Sequence, residues 1–260
     1  MVRALIVGTL VSLCAALLGV ILVLKRYSMI GDGLSHVGFG ALALAAAANI
    51  APLHLAVPIV LVSAFCLLRL SKNSKINGDA AIAVISSTAL AVGVIVASVS
   101  GLNTDLNSYL FGSILATSRS DTVLCVVLAV IVISVFVIFY NRIFASTFDE
   151  DFSRATGIRP QLYNMIIATL TALTIVIGMR IMGTLLISAL IIFPALSSMR
   201  LCKSFRSVIV VSGIISVVCF VSGFVLSYYL EFPTGPTVVV VNCGVLILFY
   251  VISRIKMFLR

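Results

Sequence analysis

A carboxylate and an imidazole stand four residues apart, at Asp32 and His36, in a part of the chain dominated by apolar residues. Four residues of an α-helix turn by about 400°, so the two side chains would lie one turn apart on one face, with Ser35 close by. A carboxylate oxygen and an imidazole nitrogen suit Zn²⁺, Mn²⁺ or Fe²⁺, whereas Mg²⁺ and Ca²⁺ prefer oxygen ligands. The spacing therefore allows both side chains to meet one transition-metal ion, and Ser35 is a weaker candidate for the same pathway.

Asp32 also has a purely structural interpretation. Asp is a favoured helix N-cap, and Ser35 and His36 would then lie in the first turn of a helix that begins at the membrane boundary. An unpaired Asp inside a span costs about 2.5–3.5 kcal/mol on insertion scales, so it is expected only near an interface or in a cavity. Spacing alone leaves both interpretations open.

The elements that position these residues are membrane helices. The chain is 62% hydrophobic and 10% charged, with a mean hydropathy of +1.29, which is typical of a membrane protein. Because a crossing takes about 20 residues, we predict an all-α polytopic transmembrane bundle, one domain over residues 1–260, with about nine spans. The second run is short and Ala-rich, so eight spans and one re-entrant piece are the alternative. The nine runs lie near residues 4–24, 34–50, 53–70, 80–100, 122–140, 161–178, 183–199, 207–230 and 236–253.

The net charge of +9 indicates topology rather than nucleic-acid binding, because the basic residues are scattered between apolar runs. With nine spans and a cytoplasmic C-terminus, 14 of the 17 Lys and Arg residues fall inside and three outside, as the positive-inside rule expects. The sequence therefore predicts N-out, C-in. The three outer residues are Arg3, Arg119 and Arg180.

A long inner connection follows the fifth span and carries an acidic cluster. Asp149, Glu150 and Asp151 would form the first turn of a short helix, with Arg154 late in it and Gly157 at its C′ position. We predict a short amphipathic helix at the cytoplasmic surface. Three roles are open for it: a solvated connector, a Mg²⁺-diphosphate site, or a docking surface for a soluble partner.

Three other features carry weaker signals. Pro194 interrupts an apolar helix and would free a backbone carbonyl towards a cavity, which suggests a pathway role, although such prolines also serve packing. The outer connection at residues 101–121 contains Tyr109–Phe111, suited to a short interfacial helix. His54, in a short outer turn, has no partner nearby in sequence and is interpreted as an interfacial polar residue, with a role in metal entry as the alternative.

Four stretches, in order, resemble the permeases of zinc/manganese/iron-type ABC importers. They are residues 26–36 (RYSMIGDGLSH), 78–83 (GDAAIA), 149–157 (DEDFSRATG) and 183–195 (GTLLISALIIFPA), and the similarity covers nearly the whole chain. Relatives often carry Ala or Thr where this chain has Gly33, a departure expected to loosen the start of that helix.

The resemblance implies a homodimeric permease in a bacterial inner membrane, surrounded by lipid. An extracytoplasmic metal-binding protein would feed it, and two ATPase subunits would dock on the coupling segment near residues 146–158. It favours Asp32 and His36 as ligands of the transported Zn²⁺ or Mn²⁺, with no permanently bound cofactor. The chain has no G-x-x-x-x-G-K-[ST] loop, so ATP would be used by the partner.

Two other function classes were weighed against an importer. In a proton-coupled secondary transporter, Asp32 and His36 would relay protons, which their chemistry permits. An intramembrane enzyme would need a second catalytic cluster, which the sequence does not show.

Reporter fusions test the topology. A cytoplasm-dependent reporter joined after Arg260 is expected to be active, and the same reporter before Met1 inactive, because the basic residues concentrate on the side of the C-terminus. A C-terminal reporter that works only when exported would refute this orientation.

Overall fold

The computed structural model describes residues 2–73, 78–100, 112 and 117–258, and these residues contain eleven α-helices. The expected interfacial helix at Tyr109–Phe111 lies outside them. The helices are α1 Val2–Leu24, α2 Ile30–Ala47, α3 Pro52–Asn73, α4 Gly78–Val99, α5 Arg119–Ile138, α6 Tyr140–Phe148, α7 Glu150–Ala155, α8 Pro160–Met182, α9 Thr184–Leu201, α10 Phe205–Leu230 and α11 Thr234–Phe258.

Nine of the helices in the described ranges are long and apolar enough to cross a membrane, which confirms the prediction of nine spans. The second run, which was the reason for considering a re-entrant piece, forms the continuous helix α2 of 18 residues. At 1.5 Å per residue it is about 27 Å long, close to the hydrocarbon thickness of a bilayer. It begins at Ile30, four residues before the expected start at Leu34.

The spans differ in how deeply they lie in the bundle. In α1 and α2, 72% of the residues in the apolar stretch of the helix are buried inside the protein, compared with 22% in α3 and α4 and 11% in α11. The helix that carries Asp32 and His36 is therefore central, although it is among the least hydropathic of the spans. Surrounding protein, rather than lipid, makes its polar residues tolerable.

Small residues bring α2 and α4 into close contact. A Cβ added at Gly40 would lie 2.6 Å from the backbone oxygen of Ala89, and one added at Gly93 would lie 2.8 Å from the Cα of Gly40. Backbones approach this closely only where side chains are absent, as at small-residue helix interfaces in membranes. Gly33 serves the same contact, because its added Cβ would lie 2.6 Å from Ile82 Cγ2. Gly33 thus allows close packing inside α2, and the expectation that it loosens the helix start stays a prediction.

The inner connection contains one more helix than the sequence predicted. The expected short helix is α7, but α6 precedes it and is separated from α5 only by Phe139. No Gly or Pro marks this break, so the apolar pattern of the fifth span appeared to run on to Tyr140. At the other end of the bundle, Glu231 ends α10 in a left-handed conformation with φ 56°.

The α2–α4 contact predicts that adding one methyl group lowers the stability of the protein at some glycines and not at others. Gly40→Ala is expected to destabilise the protein by about 1–3 kcal/mol, because the new Cβ meets backbone that cannot rotate away. Gly244→Ala is the matched control, since nothing lies within 4 Å of its added Cβ. Thermal unfolding of the detergent-solubilised protein measures both, and equal Tm changes would contradict the close contact.

Candidate metal pathway and coupling segment

Asp32 and His36 form a pair on α2, one turn apart. His36 Nε2 lies 3.5 Å from Asp32 Oδ2, so the structure brings the two side chains together as their spacing predicted. Asp32 is not the helix cap: Met29 is the N-cap, without a side-chain hydrogen bond, and Asp32 is the third helical residue. The interpretation of Asp32 as a cap is therefore wrong, and its carboxylate is directed to side-chain partners instead.

A third side chain reaches the pair from α9. Ser188 Oγ lies 3.4 Å from Asp32 Oδ1, to which it donates a long hydrogen bond, and 3.0 Å from the carbonyl oxygen of Thr184. Sequence reasoning gave Ser188 no role. The available signal was a pair of hydroxyl residues, Thr184 and Ser188, spaced four apart in an otherwise apolar run.

The pair has one open side. The side chains of Asp32 and His36 are 44% and 25% exposed in the single chain, whereas Ser35 is fully buried. An ionisable pair facing hydrocarbon is unfavourable, so this open side is expected to meet a water-filled route or another protein surface. Both residues lie within two turns of the start of α2, where the positive end of the helix dipole also favours a carboxylate.

Asp32, His36 and Ser188 suit a cation that is transported rather than permanently bound. A carboxylate and an imidazole supply two good ligands, and the hydroxyl of Ser188 adds a weak neutral oxygen, whereas structural zinc sites use four protein ligands. Within the described residues, no group of three or more His, Cys, Asp or Glu residues could hold a metal. A metal at Asp32 and His36 would keep open positions for water or for ligands from another chain.

The two weaker pathway candidates lie differently. Ser35 Oγ donates to the carbonyl oxygen of Asp32 at 2.7 Å, so it stabilises the first turn of α2. It is also 3.5 Å from Ser188 Oγ. Pro194 is buried in α9, six residues beyond Ser188, about 9 Å farther along the helix axis. It leaves the carbonyl oxygen of Leu190 without its helical N–H partner.

The coupling segment contains the short helix that the sequence predicted, but Asp149 lies just before its first turn. Asp149 is the N-cap of α7, and its carboxylate accepts hydrogen bonds from the backbone N–H groups of Asp151 and Phe152 at 3.0 and 2.9 Å. Gly157 has φ +79° just after the helix. The Gly157 N–H donates to the carbonyl oxygen of Arg154, and the Ile158 N–H donates to that of Ser153. These two bonds form a Schellman motif, which ends the helix.

One side of this segment is exposed and combines aromatic and charged groups. Phe148 and Phe152 are 58% and 60% exposed, and the side chains of Asp151 and Arg154 are 92% and 56% exposed, with Arg154 Nη1 3.4 Å from Asp151 Oδ1. Aromatic side chains exposed to this degree beside charges are typical of a protein-binding surface. The five residues predicted from the sequence to couple to the ATPase did not include these aromatic residues; they are Asp149, Glu150, Asp151, Arg154 and Gly157.

The side chain of Glu150 does not belong to this exposed side but points towards Asn164 and Lys25. Its Oε1 accepts a hydrogen bond from Asn164 Nδ2 at 2.8 Å and lies 3.5 Å from Lys25 Nζ, while Oε2 lies 3.9 Å from Arg154. Of the five residues predicted to couple to the ATPase, Glu150 therefore turns towards the membrane bundle.

Aromatic rings hold α6 against the start of α10. The ring of Phe205 lies 5.2 Å from that of Phe144, 5.8 Å from that of Phe148 and 5.6 Å from that of Tyr140, measured between centroids. Offset and edge-to-face pairs at such distances are favourable beyond the area that they bury. The coupling segment is thus anchored on the bundle through α6.

The left-handed conformation of Gly157 at the end of α7 predicts that substitutions there lower local stability. Gly157→Ala is expected to destabilise the local structure by about 1–2 kcal/mol, because a residue with a Cβ disfavours the left-handed region. Gly157→Asn is the matched variant with a smaller cost, since Asn tolerates this conformation. Hydrogen exchange at the Gly157 and Ile158 amides measures the difference. Equal protection of these amides from exchange in the wild-type protein and both variants would contradict the Schellman motif.

Comparison with known proteins places the whole chain among membrane transport proteins. Residues 1–254 match the sequence family described as the ABC 3 transport family. The chain is similar to the high-affinity zinc uptake system membrane protein ZnuB of Haemophilus influenzae, with 29% identity over 246 residues, covering 94% of each chain. It is also similar to the manganese import system permease protein ScaB of Streptococcus gordonii, with 28% identity over 258 residues, covering 99% of this chain and 93% of the relative.

The fold has a solved counterpart. The chain superposes on PsaBC from Streptococcus pneumoniae, determined in complex with Fab, with a TM-score of 0.85 and 28% identity. The match covers 95% of this chain and 90% of that one.

Proposed function

The chain belongs to the ABC 3 transport family, and on that premise we propose that it forms the membrane path of an ATP-driven importer for a divalent transition metal. It is a multi-pass permease of the bacterial plasma membrane and a member of the metal-ion ABC importers. The relatives are named for zinc in one case and manganese in another. Zinc is our first choice for this chain, because an imidazole ligand mildly favours it, with manganese and iron as the alternatives.

The observation that carries this proposal is the Asp32–His36 pair. Two ionisable side chains lie 3.5 Å apart on α2, one of the two most buried spans, and are open on one side; they supply ligands for a transition metal during transport. Ser188 orients the carboxylate of Asp32 from a second helix. A metal would bind Asp32 as the carboxylate and His36 as the neutral imidazole.

The energy for transport comes from a separate ATPase in this proposal. The sequence holds no phosphate-binding loop of its own. The exposed side of the coupling segment, with Phe148, Phe152 and Asp151, supports docking of that subunit at the cytoplasmic face. Two copies of the permease would place their Asp32–His36 pairs along one shared path, and an extracytoplasmic metal-binding protein would deliver the ion.

A proton-coupled secondary transporter is the second candidate. The distance of 3.5 Å between His36 Nε2 and Asp32 Oδ2 also suits a proton relay. The two mechanisms differ in their energy source. Uptake that survives inactivation of the partner ATPase but stops when the proton gradient is dissipated would favour the second.

We expect Asp32→Ala and His36→Ala each to reduce metal uptake at least tenfold, because each removes one of two metal ligands. Uptake of ⁶⁵Zn and ⁵⁴Mn by cells, normalised to the amount of permease in the membrane, measures the effect. His54→Ala is the matched control, since His54 is an exposed histidine at the start of α3, beyond the opposite end of α2. Normal uptake by both pair variants would exclude Asp32 and His36 from the mechanism.

A further inference from the structure

A buried polar cluster joins three separate segments near the inner end of the bundle. Lys25 follows the end of α1, Asn164 lies in the first turns of α8, and Glu150 begins α7. Lys25 Nζ donates a hydrogen bond to Asn164 Oδ1 and lies 3.5 Å from Glu150 Oε1. Asn164 Nδ2 donates to that same Glu150 oxygen at 2.8 Å. The three side chains therefore form a closed triangle of polar contacts, which we call the triad.

The triad differs from an ordinary surface ion pair in its burial. The side chain of Lys25 is 11% exposed, Asn164 is 9% exposed, and the side chain of Glu150 is 30% exposed. Exposed pairs break and re-form at little cost, whereas a largely buried charge that loses its partner is strongly unfavourable. A displacement of Glu150 is thus expected to carry Lys25 and Asn164 with it.

A short, tightly bonded turn connects the triad to the metal pair. Lys25 precedes Asp32 by only seven residues. Between them, Arg26 adopts φ 61°, and the Tyr27 N–H donates to the carbonyl oxygen of Leu22 at 2.8 Å. The side chain of Tyr27 also packs against the main hydrophobic core. A short turn held in this way changes its length very little, so a movement of Lys25 is transferred to the start of α2.

The packing beside the triad leaves room for a small adjustment. A cavity of about 20 Å³ is lined by Lys25 and Asn164 together with Ile30 and Leu34, which flank Asp32 on α2. Thr171 also lines this cavity, and its buried hydroxyl has no hydrogen-bond partner in the part of the chain that the structure describes. The start of α2 is therefore not packed solidly on this side.

We propose that Lys25, Asn164 and Glu150 are positioning residues that link the ATPase-docked helix α7 to the start of α2 and so set the geometry of the Asp32–His36 pair. This inference rests on the proposed function. When the ATPase moves α7, the triad transfers the displacement to α2, and the metal ligands are rearranged. None of the three residues touches the metal.

The test compares metal transport with ATP hydrolysis in the full transporter, reconstituted in proteoliposomes with its ATPase and supplied with its metal-binding protein. For Glu150→Gln and Lys25→Gln, zinc transported per ATP hydrolysed is expected to fall at least tenfold, while the rate of hydrolysis stays within about threefold. Glu231→Gln and Lys203→Gln are matched controls, because both are exposed and distant in sequence from the triad. A role in folding alone would lower both rates together, so an unchanged ratio in the triad variants overturns the inference.

A double variant separates coupling from the cost of an unpaired charge. Glu150→Gln combined with Lys25→Gln removes both charges and leaves neither one buried alone. Its transport-to-hydrolysis ratio is expected to stay as low as in the single variants, and a return to the wild-type ratio would overturn the inference. The wild-type protein tests the proposed function separately: absence of ATP-dependent zinc or manganese uptake there would refute the importer, whatever the triad does.

Discussion

Ionisable side chains inside this bundle need polar partners, because hydrocarbon offers none, and that constraint shapes two of its polar centres. Asp32 meets His36 and Ser188 in one centre, and Lys25 meets Asn164 and Glu150 in the other. The contacts differ in character. Each member of the triad contacts the other two, whereas the Asp32–His36 pair has an open side. Mutually bonded side chains suit the transfer of a displacement, and an open pair suits a ligand that binds and is released.

Helix α2 connects these two centres, and its composition explains how. Its Gly and Ala residues allow the backbone of α4 to approach within contact distance of Gly40, so α2 is enclosed by protein although its own hydropathy is low. A more apolar helix with large side chains would be stable in lipid but could not carry Asp32 and His36 at the same depth. The small residues are thus a condition for placing ionisable groups in the membrane.

The cytoplasmic side is organised around the break between α5 and α6. Phe205 fixes α6 to the bundle through ring contacts, and the cap at Asp149 and the stop at Gly157 define the six residues of α7. This arrangement turns Phe152 and Asp151 outward and Glu150 inward. One short helix therefore presents a surface to a partner on one side and holds the membrane bundle on the other.

The sequence by itself determined the features that follow local rules. Apolar runs of sufficient length specified nine spans, the four-residue spacing put Asp32 and His36 on one face, and the acidic first turn and Gly157 specified α7. The expected end of the fifth span and the cap at Asp32 were wrong, because no Gly or Pro marks the break at Phe139 and Met29 is the N-cap of α2, three residues before Asp32.

Only the tertiary structure decided which distant side chains meet. Ser188 is 156 residues from Asp32, and Asn164 is 139 residues from Lys25. Helical periodicity states which face of a helix a residue occupies, but not which helix that face will contact. That choice depends on how closely the backbones approach, and here the glycines of α2 and α4 permit contacts that no single segment of the sequence encodes.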